Sequence, residues 1–180
     1  DGGTTWQSSN IFSNLAAGTY IIDIEDDNNC TDNVTVTITE PTQLTNTSSF
    51  TEPSCFGDAD GEITISTTGA TPNYEYSIDG GTTWQSSNIF SNLAAGIYTI
   101  NVEDDNDCSD VITVTVTQPT ILTVNTGTIT KVSCFGMSDG EVTINASGAT
   151  PNYEYSIDGG ITWQSSNIFS NLAAGTYIID

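Results

Sequence analysis

The run DGGTTWQSSNIFSNLAAG that opens at Asp1 returns at Asp79 and, with Ile in place of one Thr, again at Asp158, giving periods of 78 and 79 residues. From Ser54 to Gly96 against Ser133 to Gly175, only seven of 43 positions differ. The stretches just before these blocks, Pro41 to Pro53 and Pro119 to Val132, have diverged and changed length by one residue. Periodicity on this scale means one folded unit per period, strung in an array. Residues 158–180 replay residues 1–23. The expected organisation is therefore the C-terminal part of one unit (1–41), one complete unit (42–119) and the N-terminal part of a third (120–180), with the diverged segments 42–53 and 120–132 as joints.

Within a period the pattern is strand after strand. Val34, Val36 and Ile38 alternate with Thr, as do Ile112, Val114 and Val116, which sets aliphatic side chains on a core face and a Thr ladder on the other. Tyr74, Tyr76 and Ile78 alternate with polar residues. Further short strands are expected at Glu62–Ser66, across Thr83–Phe90 and at Tyr98–Glu103, bounded by Gly, Pro, Asn and Asp clusters. No helical period of useful length is present. Six or seven short strands in under 80 residues predict an all-β array of immunoglobulin-like sandwiches.

Two local motifs support that fold. Leu93-Ala-Ala-Gly-Ile-Tyr98, repeated to end at Tyr20 and Tyr177, has the form of a tyrosine corner, whose hydroxyl bonds back to the preceding backbone. Ser77, Asp79, Gly81 and Trp84 form an Asp-box, in which Ser and Asp satisfy a hairpin turn and Trp packs beneath it. Asp-boxes also occur in propellers. A blade needs four strands in about 40–50 residues, which the longer period fits poorly, and the plain turn is preferred.

Charge narrows the partners. The chain carries 23 acidic residues against one basic residue, Lys131, for a formal net charge of −22, with no His and no Arg. Nucleic acid is excluded as a partner, and the charge keeps a long polymer soluble. No segment is long or apolar enough for membrane insertion. Without His or Arg there is no Ser-His or Cys-His dyad and no phosphate clamp, so no enzymatic activity is expected.

Four cysteines fall one near each end of a unit. A Cys55–Cys108 disulfide is expected in the complete unit, with Cys30 and Cys134 bonded to partners outside the chain, and an oxidising, extracellular address follows. The bond requires both turns at one pole, which favours one continuous strand across Thr83–Phe90. It would also draw Asp58, Asp60 and Glu62 toward Glu103, Asp104, Asp105 and Asp107. Such crowding suits Ca²⁺ with oxygen ligands, or is ordinary turn chemistry. Met137 stands in the third unit where Asp58 stands in the second.

The ordered motifs Ser54-Cys-Phe-Gly, Asp60-Gly-Glu-Ile-Thr-Ile, Gly69-Ala-Thr-Pro-Asn-Tyr-Glu-Tyr-Ser, Asn92-Leu-Ala-Ala-Gly-Ile-Tyr, Val102-Glu-Asp-Asp-Asn-Asp-Cys and Val114-Thr-Val-Thr-Gln-Pro119 resemble the SprB-type repeat of cell-surface adhesins of gliding Bacteroidetes. The resemblance implies type IX secretion, display outside the cell and tandem units forming a long filament. Asn73 stands where the family often has Pro, and the Asp79–Trp84 hairpin is longer than in many members. Neighbouring repeats, and identical chains in a filament, are the expected partners. Two roles stay open. The units are spacers of a stalk or fibre, or they bind surfaces and polysaccharides through Trp6, Trp84 and Trp163 or the Tyr74–Tyr76 face. Strand exchange between chains is a third possibility.

Overall fold

The computed structural model describes residues 4–180, and Asp1, Gly2 and Gly3 of the first unit lie outside the described residues. Among the described residues every regular element is a strand: β1 (Gly18–Glu25), β2 (Thr31–Ile38), β3 (Thr45–Thr51), β4 (Gly61–Thr68), β5 (Glu75–Ser77), β6 (Ile89–Leu93), β7 (Gly96–Glu103), β8 (Ser109–Val116), β9 (Thr123–Thr130), β10 (Gly140–Ser147) and β11 (Ile168–Leu172). Among the described residues no helix is long and apolar enough to cross a membrane.

The middle unit is a sandwich of two three-stranded antiparallel sheets, β3-β4-β6 and β5-β7-β8. Its first, second and fourth strands thus share one sheet and its third, fifth and sixth the other, an immunoglobulin-like order. Alternation explains the facing. Ile63 and Ile65 of β4 and Ile100 and Val102 of β7 are fully buried, with Leu44, Tyr76, Phe90, Val114 and Val116 completing the core. The adjacent Thr113 and Thr115 face solvent. Antibody domains place a disulfide between the second and fifth-position strands of such a core; here aliphatic side chains fill that space.

The expected continuous strand across Thr83–Phe90 is instead a crossing between sheets. Gln85 exchanges backbone hydrogen bonds with Tyr76 on the edge of one sheet, and Ile89 starts β6 in the other. Polar side chains carry the step. Gln85 Nε2 donates to the carbonyls of Ser87 and Ile89 at 2.7 and 2.9 Å, and Asn88 Nδ2 donates to Ile65 O at 2.7 Å. The third unit repeats the crossing at Gln164 and Asn167.

The segments expected as joints, 42–53 and 120–132, also differ. Thr45–Thr51 is strand β3, paired along its length with β4, and Thr123–Thr130 is β9. Between β8 and β9 only residues 117–122 remain to link the units.

The flanking units repeat the same parts. Hairpin β1–β2 has the register of β7–β8, with Gly18 opposite Ile38 and Glu25 opposite Thr31. Without a facing sheet in the chain, Ile24 is 60% exposed where its counterpart Val102 is buried. The third unit forms the sheet β11-β10-β9 around Ile144, Tyr155 and Phe169. Its Ser156 pairs with Asp180 as Ser77 pairs with Asn101.

Candidate functional site

The chemistry of this chain is concentrated at the two ends of each sandwich. Strand pairing fixes what lies where. Thr45 is opposite Thr68, Glu75 opposite Glu103, and Glu103 opposite Ser109, so these form one pole, with Asn46 Nδ2 donating to Asp110 Oδ2 across the sheets at 3.0 Å. Thr51 is opposite Glu62, Gly61 opposite Leu93, and Gly96 opposite Val116, which form the other pole, where Thr117 Oγ1 donates to Glu52. The chain comes in at the first pole and leaves at the second.

This arrangement overturns the Cys55–Cys108 bond. Cys108 ends the turn at the incoming pole, and Cys55 lies in the turn at the outgoing pole. An eight-residue strand, β8, separates them by roughly 20 Å or more, whereas a disulfide needs Cα atoms within about 7 Å. All four cysteines, Cys30, Cys55, Cys108 and Cys134, are free and exposed. The expected bond had required both turns at one pole, and with it one continuous strand across Thr83–Phe90, whose place the Gln85 crossing takes.

The carboxylates expected to crowd around Ca²⁺, of which all but Glu103 were candidate ligands, separate for the same reason. Asp58, Asp60 and Glu62 belong to the outgoing pole and Asp104, Asp105 and Asp107 to the incoming one. Among the described residues no three metal-ligating side chains converge. The aspartates are engaged by the backbone instead. Asp104 is buried; it accepts Thr71 N at 2.9 Å on Oδ2, and Asn106 N at 2.9 Å and Cys108 N at 2.8 Å on Oδ1. The Thr71 amide is the largest influence holding its carboxyl below the usual value, and burial opposes it. Its negative charge, ahead of burial, pushes the Cys108 thiol up. Glu103 beside it is raised by desolvation first and then by Asp107.

At the outgoing pole Asp60 accepts Ser54 N at 2.9 Å, and Ser54, by its side chain first, lowers the Asp60 carboxyl. Ser54 Oγ donates to Asp58 at 3.3 Å; where Met137 replaces that aspartate, Ser133 Oγ turns to Asp139 at 2.5 Å. Gly57 N donates to Gln118 Oε1 at 2.9 Å, so the turn bearing Cys55 is tied to the outgoing link.

The link is tied at its other end as well. Ala149 N donates to Thr120 O at 2.7 Å, as Ala70 N donates to Thr42 O at the preceding joint. The space is tight: a Cβ on Gly69 would lie 2.0 Å from Gln43 O, and one on Gly148 2.0 Å from Ile121 O. Gln118 entered the sequence reading only within the motif ending at Pro119, and Thr120 not at all as a site. Their only signal was position beside Pro119, between two repeats.

The local motifs take these forms. Tyr20, Tyr98 and Tyr177 each donate to the carbonyl four residues earlier, Ala16, Ala94 and Ala173, at 2.9, 2.9 and 3.1 Å. Asp79 bonds Ser77 Oγ at 2.8 Å and accepts from Thr82 N, Thr83 N and Thr83 Oγ1. The Gly81 amide donates to Ser77 Oγ, and a Cβ at Gly81 would lie 3.5 Å from the Trp84 ring. The Tyr74–Tyr76 pair is not a free binding face, because Tyr76 is core and Tyr74 Oη donates to Gly69 O at 2.6 Å. Trp84 is half-buried, while Trp6 and Trp163 are 54% and 52% exposed.

A family model described as the SprB repeat matches residues 47–83 and 126–162, from within β3 to the Asp79 hairpin and from within β9 to the Asp158 hairpin. No curated protein matches the chain. Among solved structures, the three N-terminal domains of the bacteriophage RB49 highly immunogenic outer capsid protein (Hoc) align with 74% of this chain and 50% of that one, at 16% identity and a TM-score of 0.43. The chain thus spans half the length of that structure.

Proposed function

We propose that the units of this chain are stalk segments of a long extracellular surface filament of the adhesin type, a reading supported by the SprB repeat model that matches residues 47–83 and 126–162. The observation that supports this reading is the placement of the two chain ends of the complete unit at opposite poles. A tandem series of such units extends along one direction, each adding about the length of its strands plus a short link. The link is short and hydrogen-bonded on both sides, which favours a stiff succession over loose beads. The surplus of carboxylates keeps such fibres apart in solution.

Labelling intact producing cells with an antibody against residues 42–119 and viewing them by electron microscopy tests the proposal. Label at regular intervals along thin filaments is the expected result. Label confined to the envelope or shed into the medium refutes it. A second reading, glycan or surface binding by the repeats, turns on Trp84, which the complete unit leaves half-buried. Quenching of tryptophan emission by added polysaccharide is its signature.

A further inference from the structure

Cys55 and Cys108 recur once per unit and cannot reach each other inside it. The chain enters a unit at the pole of Cys108 and leaves at the pole of Cys55. Head-to-tail succession therefore turns unlike cysteines toward each other at every joint.

The hydrogen bonds of the link bring the two turns to the same few residues. Gln118 accepts the amide of Gly57, two residues from Cys55. Two residues further on, Thr120 O accepts the amide of Ala149, the third-unit counterpart of Ala70. In the complete unit the residue after Ala70 anchors the turn of Cys108: Thr71 N donates to Asp104, which accepts Cys108 N, and Asn106 Nδ2 donates to Thr71 Oγ1 at 2.8 Å. One turn is thus hung on position 118 and the other on position 120, and both thiols are exposed.

We propose that the array is stapled by disulfides across its joints, each joining the counterpart of Cys55 in one unit to the counterpart of Cys108 in the next. The inference rests on the tandem reading of the units and not on the display of a filament. Formation is a thiol–disulfide exchange with an oxidised dithiol carrier. One thiolate attacks a carrier sulfur to give a mixed disulfide, and the second thiolate attacks the bonded cysteine sulfur. The carrier leaves as a dithiol with the two electrons and two protons lost by the pair. The Asp104 carboxylate makes the Cys108 thiol a slow attacker, so stapling accelerates as pH rises.

The chain can be continued past Asp180 with a copy of residues 102–119, which completes the third unit and adds one cysteine beside the four already present. Treated with glutathione disulfide and scored by mass, a cysteine carrying only glutathione being counted as free because it has no protein partner, the 180-residue chain is expected to keep its four thiols free. The continued chain is expected to lose two thiols of five, and a peptic digest without reductant to contain a peptide linking Cys55 to the added cysteine. Cys55→Ser in the continued chain should leave every remaining thiol free. A second chain, prolonged at its other end by a copy of residues 42–78, offers a new counterpart of Cys55 to Cys108 in the already complete middle unit. Five free thiols in both chains, or a link from the added cysteine to the other cysteine of its own unit, overturns the proposal. Cell labelling does not depend on these bonds, so failure of the staple and failure of the filament reading are told apart.

Discussion

The Asp104 carboxylate accepts the Thr71 amide hydrogen at 2.9 Å, joining the last turn of the middle unit to the loop that receives the incoming chain. Asp26, its counterpart in the first unit, accepts Asn28 N and Cys30 N, both within its own turn. Asp104→Ala should therefore lower the denaturant midpoint more than Asp26→Ala, and should speed exchange of the Thr71 and Cys108 amides. Equal effects would mean that the Thr71 bond contributes nothing beyond the turn itself.

Acid should weaken the hairpins before it touches the core. Asp79, held mainly by the Thr83 amide, and Asp158, held mainly by the Thr162 hydroxyl, are lowered from 3.8 to about 2. A carboxylate depressed on folding contributes stability that is complete above its unfolded value and is lost as pH falls through its folded value. The window is thus from about pH 4 down to about pH 2. Glu103, raised by desolvation and its acidic neighbours, works with the opposite sign, since its protonation relieves the folded state. Unfolding of Asp79→Asn and the parent chain, followed from neutral pH downward, should differ above this window and converge within it.

Burial predicts a sharp contrast along β7. Ile100→Ala removes a fully buried side chain and should cost about 2–5 kcal/mol. Ile97→Ala, three residues away at 73% exposure, should stay within about 0.5 kcal/mol. Urea titration of both variants checks the pair.

Glycine matters at the joint for a reason it lacks elsewhere. Gly57 and Gly69 both have positive φ, 87° and 88°, yet a Cβ meets nothing within 4 Å at Gly57 and the Gln43 carbonyl at Gly69. Gly57→Ala should cost about 1–2 kcal/mol of backbone strain. Gly69→Ala should cost more and break the Ala70–Thr42 hydrogen bond, seen as faster exchange at the Ala70 amide.

Much of the sandwich was legible in the chain because aliphatic residues alternate with Thr in β2 and β8, and in β8 burial of Val114 and Val116 on one face sets the register. Strands β3 and β9 were not. Thr45-Asn-Thr-Ser-Ser-Phe-Thr51 has no apolar alternation, since as an edge strand it is held by the ladder to β4 and by pairs such as Thr45–Thr68 rather than by burial. The crossing at Gln85–Ile89 was hidden because Gln and Asn side chains satisfy a bend that no local propensity announces. That one bend decides which pole each turn occupies, so the expected cysteine pair and its acidic neighbours were misplaced with it. The tyrosine and Asp-box positions needed only local geometry, and their hydrogen bonds close within five residues.

The chain's passage from one pole of the unit to the other has a consequence for heredity. Nearly identical stretches such as Ser54–Gly96 and Ser133–Gly175 are natural substrates for unequal recombination. Gain or loss of a whole period inserts or removes one bead without disturbing the surfaces on either side. The reach of such a protein can therefore change in fixed quanta of one unit.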